Sequence, residues 1–113
     1  MSGAVPPIGT LTDRIELFTK VTSRNASGGQ ETIFVPNGSV WARVRSLRGR
    51  RTSHLDGRAA SISHSVVIRY RSDLRAGDRI VYRGRRLEVQ GTEDLNGRRA
   101  YLGCSCVETR IVG

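Results

Sequence analysis

The chain has 113 residues and a mass of 12.4 kDa, enough for one domain with one modest core and too little for a catalytic domain plus a partner domain. A hydrophobic share of 37% with 26% charged residues excludes a disordered chain, and no apolar run approaches the ~18 residues of a membrane helix. The balance of 19 basic to 10 acidic residues gives +9, a field that attracts polyanions such as nucleic acid.

Lys20 is the only lysine; every other basic residue is arginine. A GC-rich genome is a second reading of that skew, since the arginines are spread along the chain. Two cysteines are too few for a disulfide scaffold, so a reducing compartment is expected. Met1 to Gly9 lacks the basic segment and apolar stretch of a secretory signal.

Residues 1–12 read as an extended arm, because adjacent Pro6 and Pro7 fit neither a helix nor a central strand. From Asp13 to Thr22, Ile15, Leu17, Thr19 and Val21 share one face, which predicts a strand. Ser23–Glu31 is polar and glycine-rich and reads as a mobile loop. Thr32–Val35 is a short β-branched piece stopped by Pro36-Asn37-Gly38. Ser39–Leu47 alternates again, with Val40, Ala42 and Val44 opposite Trp41, Arg43 and Arg45. Residues 48–60 break the rhythm and read as a loop with a helical turn over Thr52–Ala59, weakened by Gly57.

Alternation returns over Ser61–Arg71, with Ile62, His64, Val66, Ile68 and Tyr70 on one side. After a turn at Ser72–Gly77, Asp78–Tyr82 and Arg86–Thr92 form a hairpin around Arg83-Gly84-Arg85. Asn96-Gly97 signals another hairpin before a last strand over Arg99–Glu108, and 109–113 form a tail. About six strands joined by hairpins, with at most one short helix, predict a single all-β domain over 13–108: a small antiparallel barrel or sandwich carrying long loops at 23–31 and 48–60.

No catalytic constellation emerges. His64 stands beside Ser61, Ser63 and Ser65, yet there is neither a nucleophile elbow nor an orienting carboxylate, so a hydrogen-bonded structural histidine is expected. Cys104 and Cys106 share one strand face, with His54 and His64 the only other soft donors. That matches no zinc spacing and predicts two small buried residues. The chain reads as a non-enzyme with no metal or cofactor. Arg48, Arg50, Arg51 and Arg58 cluster on the 48–60 connection, suited to phosphate backbones or to the acidic surface of a neighbouring subunit.

The run Trp41-Ala42-Arg43-Val44-Arg45, then Ser63-His64-Ser65-Val66-Val67-Ile68-Arg69-Tyr70-Arg71, then Asp78-Arg79-Ile80-Val81-Tyr82 and Gly84-Arg85-Arg86-Leu87-Glu88-Val89, resembles the head–tail joining proteins of tailed bacteriophages. These are also called head-closure or head–tail adaptor proteins. Asp13-Arg14-Ile15-Glu16-Leu17 and Leu102-Gly103-Cys104-Ser105-Cys106-Val107-Glu108 resemble that family's ends, so the likeness spans residues 10–110. The sequence departs from the family in the polar stretch Arg51–Gly57, where related chains carry a better helix-former.

The resemblance implies a small β-barrel with long loops that assembles as a ring, commonly a dodecamer, beneath the portal or its adaptor. Such a ring closes the filled head and docks the tail-side protein, in a phage or in a phage-derived particle such as a gene transfer agent. It would be made in the host cytoplasm and have no membrane partner. Arg48, Arg50, Arg51 and Arg58 would then face packaged DNA or the next subunit, and the arm with Pro6 and Pro7 would order on assembly. The competing reading is a free-standing small-barrel nucleic-acid-binding protein.

Overall fold

The computed structural model describes residues 11–55 and 58–109, with side chains described for 11–47 and 62–109. Six strands follow one another: β1 (Asp13–Arg24), β2 (Gln30–Leu55), β3 (Arg58–Arg69), β4 (Arg79–Tyr82), β5 (Arg85–Asp94) and β6 (Tyr101–Thr109). They close into an antiparallel barrel in the order β1-β2-β3-β6-β5-β4. Closure leaves the barrel wall without an open edge.

The period-two pattern read from the sequence is what fills the interior. Ile15 and Leu17 of β1, Ala42 of β2, Val66 and Ile68 of β3, Ile80 of β4, Leu87 and Val89 of β5, and Leu102, Cys104 and Cys106 of β6 form one buried cluster. Leu74, from the β3–β4 connection, joins that cluster from one end. Burying each large aliphatic side chain contributes about 1.5–3 kcal/mol.

Strand β2 is the departure from expectation. Its 26 residues run unbroken through Pro36-Asn37-Gly38, which the sequence suggested would stop a strand. The pairing shows why. Glu16 faces Ser39 and Phe18 faces Pro36, so Asn37 and Gly38 together oppose Leu17. The tripeptide is a β-bulge: Pro36 sits where a missing N–H is tolerated, and Gly38 supplies a φ of 96°. A straight strand of this length would run about 85 Å at ~3.3 Å per residue. The longest extent of the molecule is 50 Å, so β2 is strongly bent.

The 48–60 segment is also corrected. Its described backbone is strand, not a loop with a helical turn. Arg51 pairs with Ile62, Thr52 with Ser61, Ser53 with Ala60, His54 with Ala59 and Leu55 with Arg58. This two-stranded ribbon runs on beyond the last β3–β6 pair, His64 with Cys106, and the sequence of 48–60 carries no period-two alternation that announces it.

The expected mobile loop at 23–31 shortens to a turn over 25–29. There the Asn25 side-chain Oδ1 accepts the N–H groups of Ser27 (3.0 Å) and Gly29 (2.9 Å). Arg83 and Gly84, with φ of 50° and 78°, form the tight β4–β5 turn. Asn96-Gly97 lies in a short 3-10 turn, Leu95–Gly97, within the longer β5–β6 connection.

Candidate assembly surfaces

β1 meets β4 only at Glu16, Leu17 and Phe18, whereas its pairing with β2 continues to Arg24 and Gln30. The β1–β2 pair therefore leaves the barrel as a free ribbon. Directly opposed residues share a face, so Thr19 and Val35, Val21 and Ile33, and Ser23 and Glu31 line one side. On β1 this side continues the inward parity of Ile15 and Leu17. On β2 it does so only because the bulge shifts the parity, bringing Ile33 and Val35 to the face of Ala42. With no barrel left to fill, Val21, Ile33 and Val35 stand 37%, 44% and 42% exposed.

The ribbon is anchored at its root. Asp78, buried, accepts the backbone N–H of Lys20 (3.0 Å) and that of Arg75 (3.1 Å). The Arg79 guanidinium lies 3.7 Å over the Phe34 ring, on the ribbon face opposite the exposed aliphatics. Arg71 grips Asp73 through Nε and Nη2, both at 2.9 Å, and the Asn37 amide donates to Asp73 at 3.1 Å, pinning the bulge. The two donors hold the Asp73 carboxyl well below the usual carboxylate range.

A second surface lies on the barrel's outer wall. Arg14 pairs with Trp41, and Arg69 pairs with Tyr101. Trp41 follows a partner of β1 and precedes Ala42, whose β3 partner is Ile68, the neighbour of Arg69. The four side chains thus form one outward row across β1, β2, β3 and β6. With Leu11, Ser39 and Val40 they line a mainly apolar recess of about 480 Å³. The Arg14 guanidinium lies 5.0 Å from the Trp41 ring centroid, and Trp41 is 54% exposed. Among the described residues these four exposed large hydrophobics, Val21, Ile33, Val35 and Trp41, all belong to β1 and β2.

The sequence-predicted residues fall elsewhere. Arg48 and Arg50 lie in the irregular register between Ser46 and Arg51 on the β2–β3 ribbon, and Arg58 pairs with Leu55 near its end. Their side chains lie outside the described residues, as do Pro6 and Pro7. At the β4–β5 tip, Arg83, Arg85 and Arg86 are exposed, with Arg83 stacked 5.3 Å over Tyr82 and Arg85 3.8 Å from Glu108.

His64 is buried, as expected of a structural histidine. Its Nδ1 lies 2.9 Å from the Ser63 hydroxyl, which accepts the Glu108 N–H at 2.8 Å. Burial holds its pKa below the ordinary value; Glu108 opposes that shift and Arg85 adds to it. Cys104 and Cys106 are free thiols packed in the core, where burial pushes the Cys104 pKa up to about 12 and that of Cys106 higher still.

Trp41 and Val21 were legible as members of alternating runs, and Ile33 and Val35 only as part of the short β-branched piece Thr32–Val35. Trp41 is exposed because it points outward from the barrel wall, whereas the exposure of Val21, Ile33 and Val35 depends on where the barrel ends, which local sequence does not encode.

The described residues form a small closed barrel with two projecting ribbons and exposed apolar patches on the β1–β2 pair, around an interior filled by side chains. Residues 6–109 match the family described as phage head completion protein, and the chain belongs to that family. Its role is structural, in the head–tail region of the phage. Two solved structures share the fold. Protein SF1141 from Shigella flexneri 2a, solved in solution, is 27% identical with a TM-score of 0.68, over 89% of this chain and 95% of that one. A chain from the virion of a native gene transfer agent particle is 19% identical with a TM-score of 0.60, over 85% of this chain and 93% of that one; at this identity the likeness is one of fold. No match was found among curated proteins.

Proposed function

We propose that this chain is the connector that closes the DNA-filled head of a tailed phage or phage-like particle and docks its tail, acting as a ring beneath the portal. The observation that carries the reading is the family match across residues 6–109, which takes in the whole described barrel and both ribbons. The architecture suits the task. One ribbon leaves each end of the barrel, because the β1–β2 turn and the β2–β3 turn lie at opposite ends of β2. A part placed between portal side and tail side has use for two such ends. The +9 charge suits a position beside packaged DNA, with Arg48, Arg50, Arg51 and Arg58 toward the DNA or the next subunit. The partners are further copies of the chain, the portal or its adaptor, and the tail-side protein.

The test is fractionation of induced host cells that carry a tagged chain. The chain is expected in fast-sedimenting particles with capsid and DNA, at the neck when those particles are imaged. Recovery only in slow fractions, bound to nucleic acid, would favour a free-standing binding module instead. Replacing Arg48, Arg50 and Arg51 together with alanine is expected to give heads that leak DNA or lack tails. Normal particles would remove these arginines from the function.

A further inference from the structure

The two apolar patches on the β1–β2 pair face opposite ways, and they differ in charge. On the ribbon, Val21, Ile33 and Val35 are bordered by Thr19, Ser23 and Glu31. In a chain of +9 this face carries no basic residue and one carboxylate. On the barrel wall, the recess around Trp41 is bordered by exposed Arg14 and Arg69. Among the described residues neither these two arginines nor Glu31 has an ion-pair partner. An apolar stripe ending in a carboxylate is the chemical complement of an apolar recess rimmed by guanidinium groups.

We infer that the exposed stripe Val21–Ile33–Val35 of one copy seats in the Trp41 recess of the next, with Glu31 set between Arg14 and Arg69 of that neighbour. The occupant is a second copy of this chain. The contact joins two different patches that face opposite ways, which favours a head-to-tail arrangement, and such contacts close into a ring when the rotation between copies permits. A two-fold dimer would need both contacts at once, each copy's stripe in the other's recess, and because the stripe and the recess face opposite ways on the β1–β2 pair, seating one stripe turns the second recess away from the second stripe. This inference rests on the ring reading above and assigns the surfaces that would build the ring.

Cross-linking within particles tests it. Ser23→Cys lies on the stripe face beside Glu31, and Ser39→Cys lies in the recess. Within one copy the two positions are about 25 Å apart along the ribbon, since Ser23 pairs with Glu31, eight residues before Ser39. The native thiols are buried, so a short bismaleimide reacts only at the introduced ones. The double variant is expected to give a ladder of covalent multimers in purified particles, and each single variant none. Glu31→Arg should abolish the ladder and tail joining, and Glu31→Arg combined with Arg69→Glu should restore both.

Particles that hold the double variant yet give no ladder would overturn this inference and leave the ring reading standing, as would dimers formed by Ser23→Cys alone. Absence of the unaltered tagged chain from particles would overturn the ring reading itself, and this inference with it.

Discussion

The carboxylate of Asp78 accepts the backbone N–H of Lys20 at 3.0 Å, joining the turn before β4 to the root of the β1–β2 ribbon. The same carboxylate takes the N–H of Arg75, and the Asp78 carbonyl accepts the Val89 N–H at 2.9 Å. One buried residue thus holds three segments at the point where β1 parts from β4. Hydrogen bonds to a charged group contribute about 1.5–3 kcal/mol each, and a buried donor left unmet adds to the loss. Asp78→Ala is expected to lower unfolding stability by about 2–4 kcal/mol in a denaturant titration, with Asp78→Asn losing less.

Gly38 carries the bulge that puts Ile33 and Val35 on the stripe face. Its φ is 96°, and an added Cβ would meet nothing within 4 Å, so any penalty is conformational rather than steric. Gly38→Ala is expected to cost about 1–2 kcal/mol, read as a lowered denaturation midpoint. Gly91 is the control: it too has open space but no positive φ. Gly91→Ala should leave stability unchanged or raise it by about 0.4–1 kcal/mol.

His64 makes stability depend on pH in a defined direction. Its folded pKa lies below the ordinary 6.5, chiefly through burial, so below pH 6.5 the unfolded chain takes up the proton first. The stability that neutral His64 provides is complete above pH 6.5 and drains away as pH falls toward the folded pKa. Denaturant midpoints measured from pH 8 down to pH 5 (a span of about three units around the histidine range) should decline on the acid side, and His64→Gln should flatten that part of the curve.

The core thiols should be chemically silent in the folded chain. With Cys104 pushed up to about 12 and Cys106 above it, almost no thiolate exists near neutrality, and neither sulfur is exposed. Disulfide-exchange reagents should label neither residue in the native protein and both once denaturant unfolds it. Fast native labelling would mean the β5–β6 side of the barrel opens readily.

Much of the barrel was legible because each of its strands has one face that must be dry. Ile15 and Leu17, Val66 and Ile68, Leu87 and Val89, and Cys104 and Cys106 all announce their direction by alternation, and all are buried. The failures lie where that constraint lapses. Pro36-Asn37-Gly38 reads as punctuation, and only the pairing of Glu16 with Ser39 and Phe18 with Pro36 reveals one extra residue inside a continuous ladder. Residues 51–55 and 58–60 pair in a ribbon that continues past the β3–β6 contact, and their sequence shows no alternation from which a strand could be read. The stripe was half visible: Val21 was placed with Ile15 and Leu17 correctly, but its exposure follows from β4 ending its contact at Phe18, a tertiary event. The Trp41 recess draws on four strands distant in sequence and has no local signature.

The length of β2 has a mechanical side. The same uninterrupted backbone that pairs with β1 from Gln30 to Ala42 pairs with β3 from Ala42 to Leu55, so both projecting ribbons are drawn from a single strut. Tension applied at one ribbon reaches the other through covalent bonds, with no connecting loop to stretch first. The neighbouring ladders are loaded along their length, so many hydrogen bonds share the strain rather than yielding one after another. The two ribbons are thus coupled through one backbone, with the barrel closed around its middle.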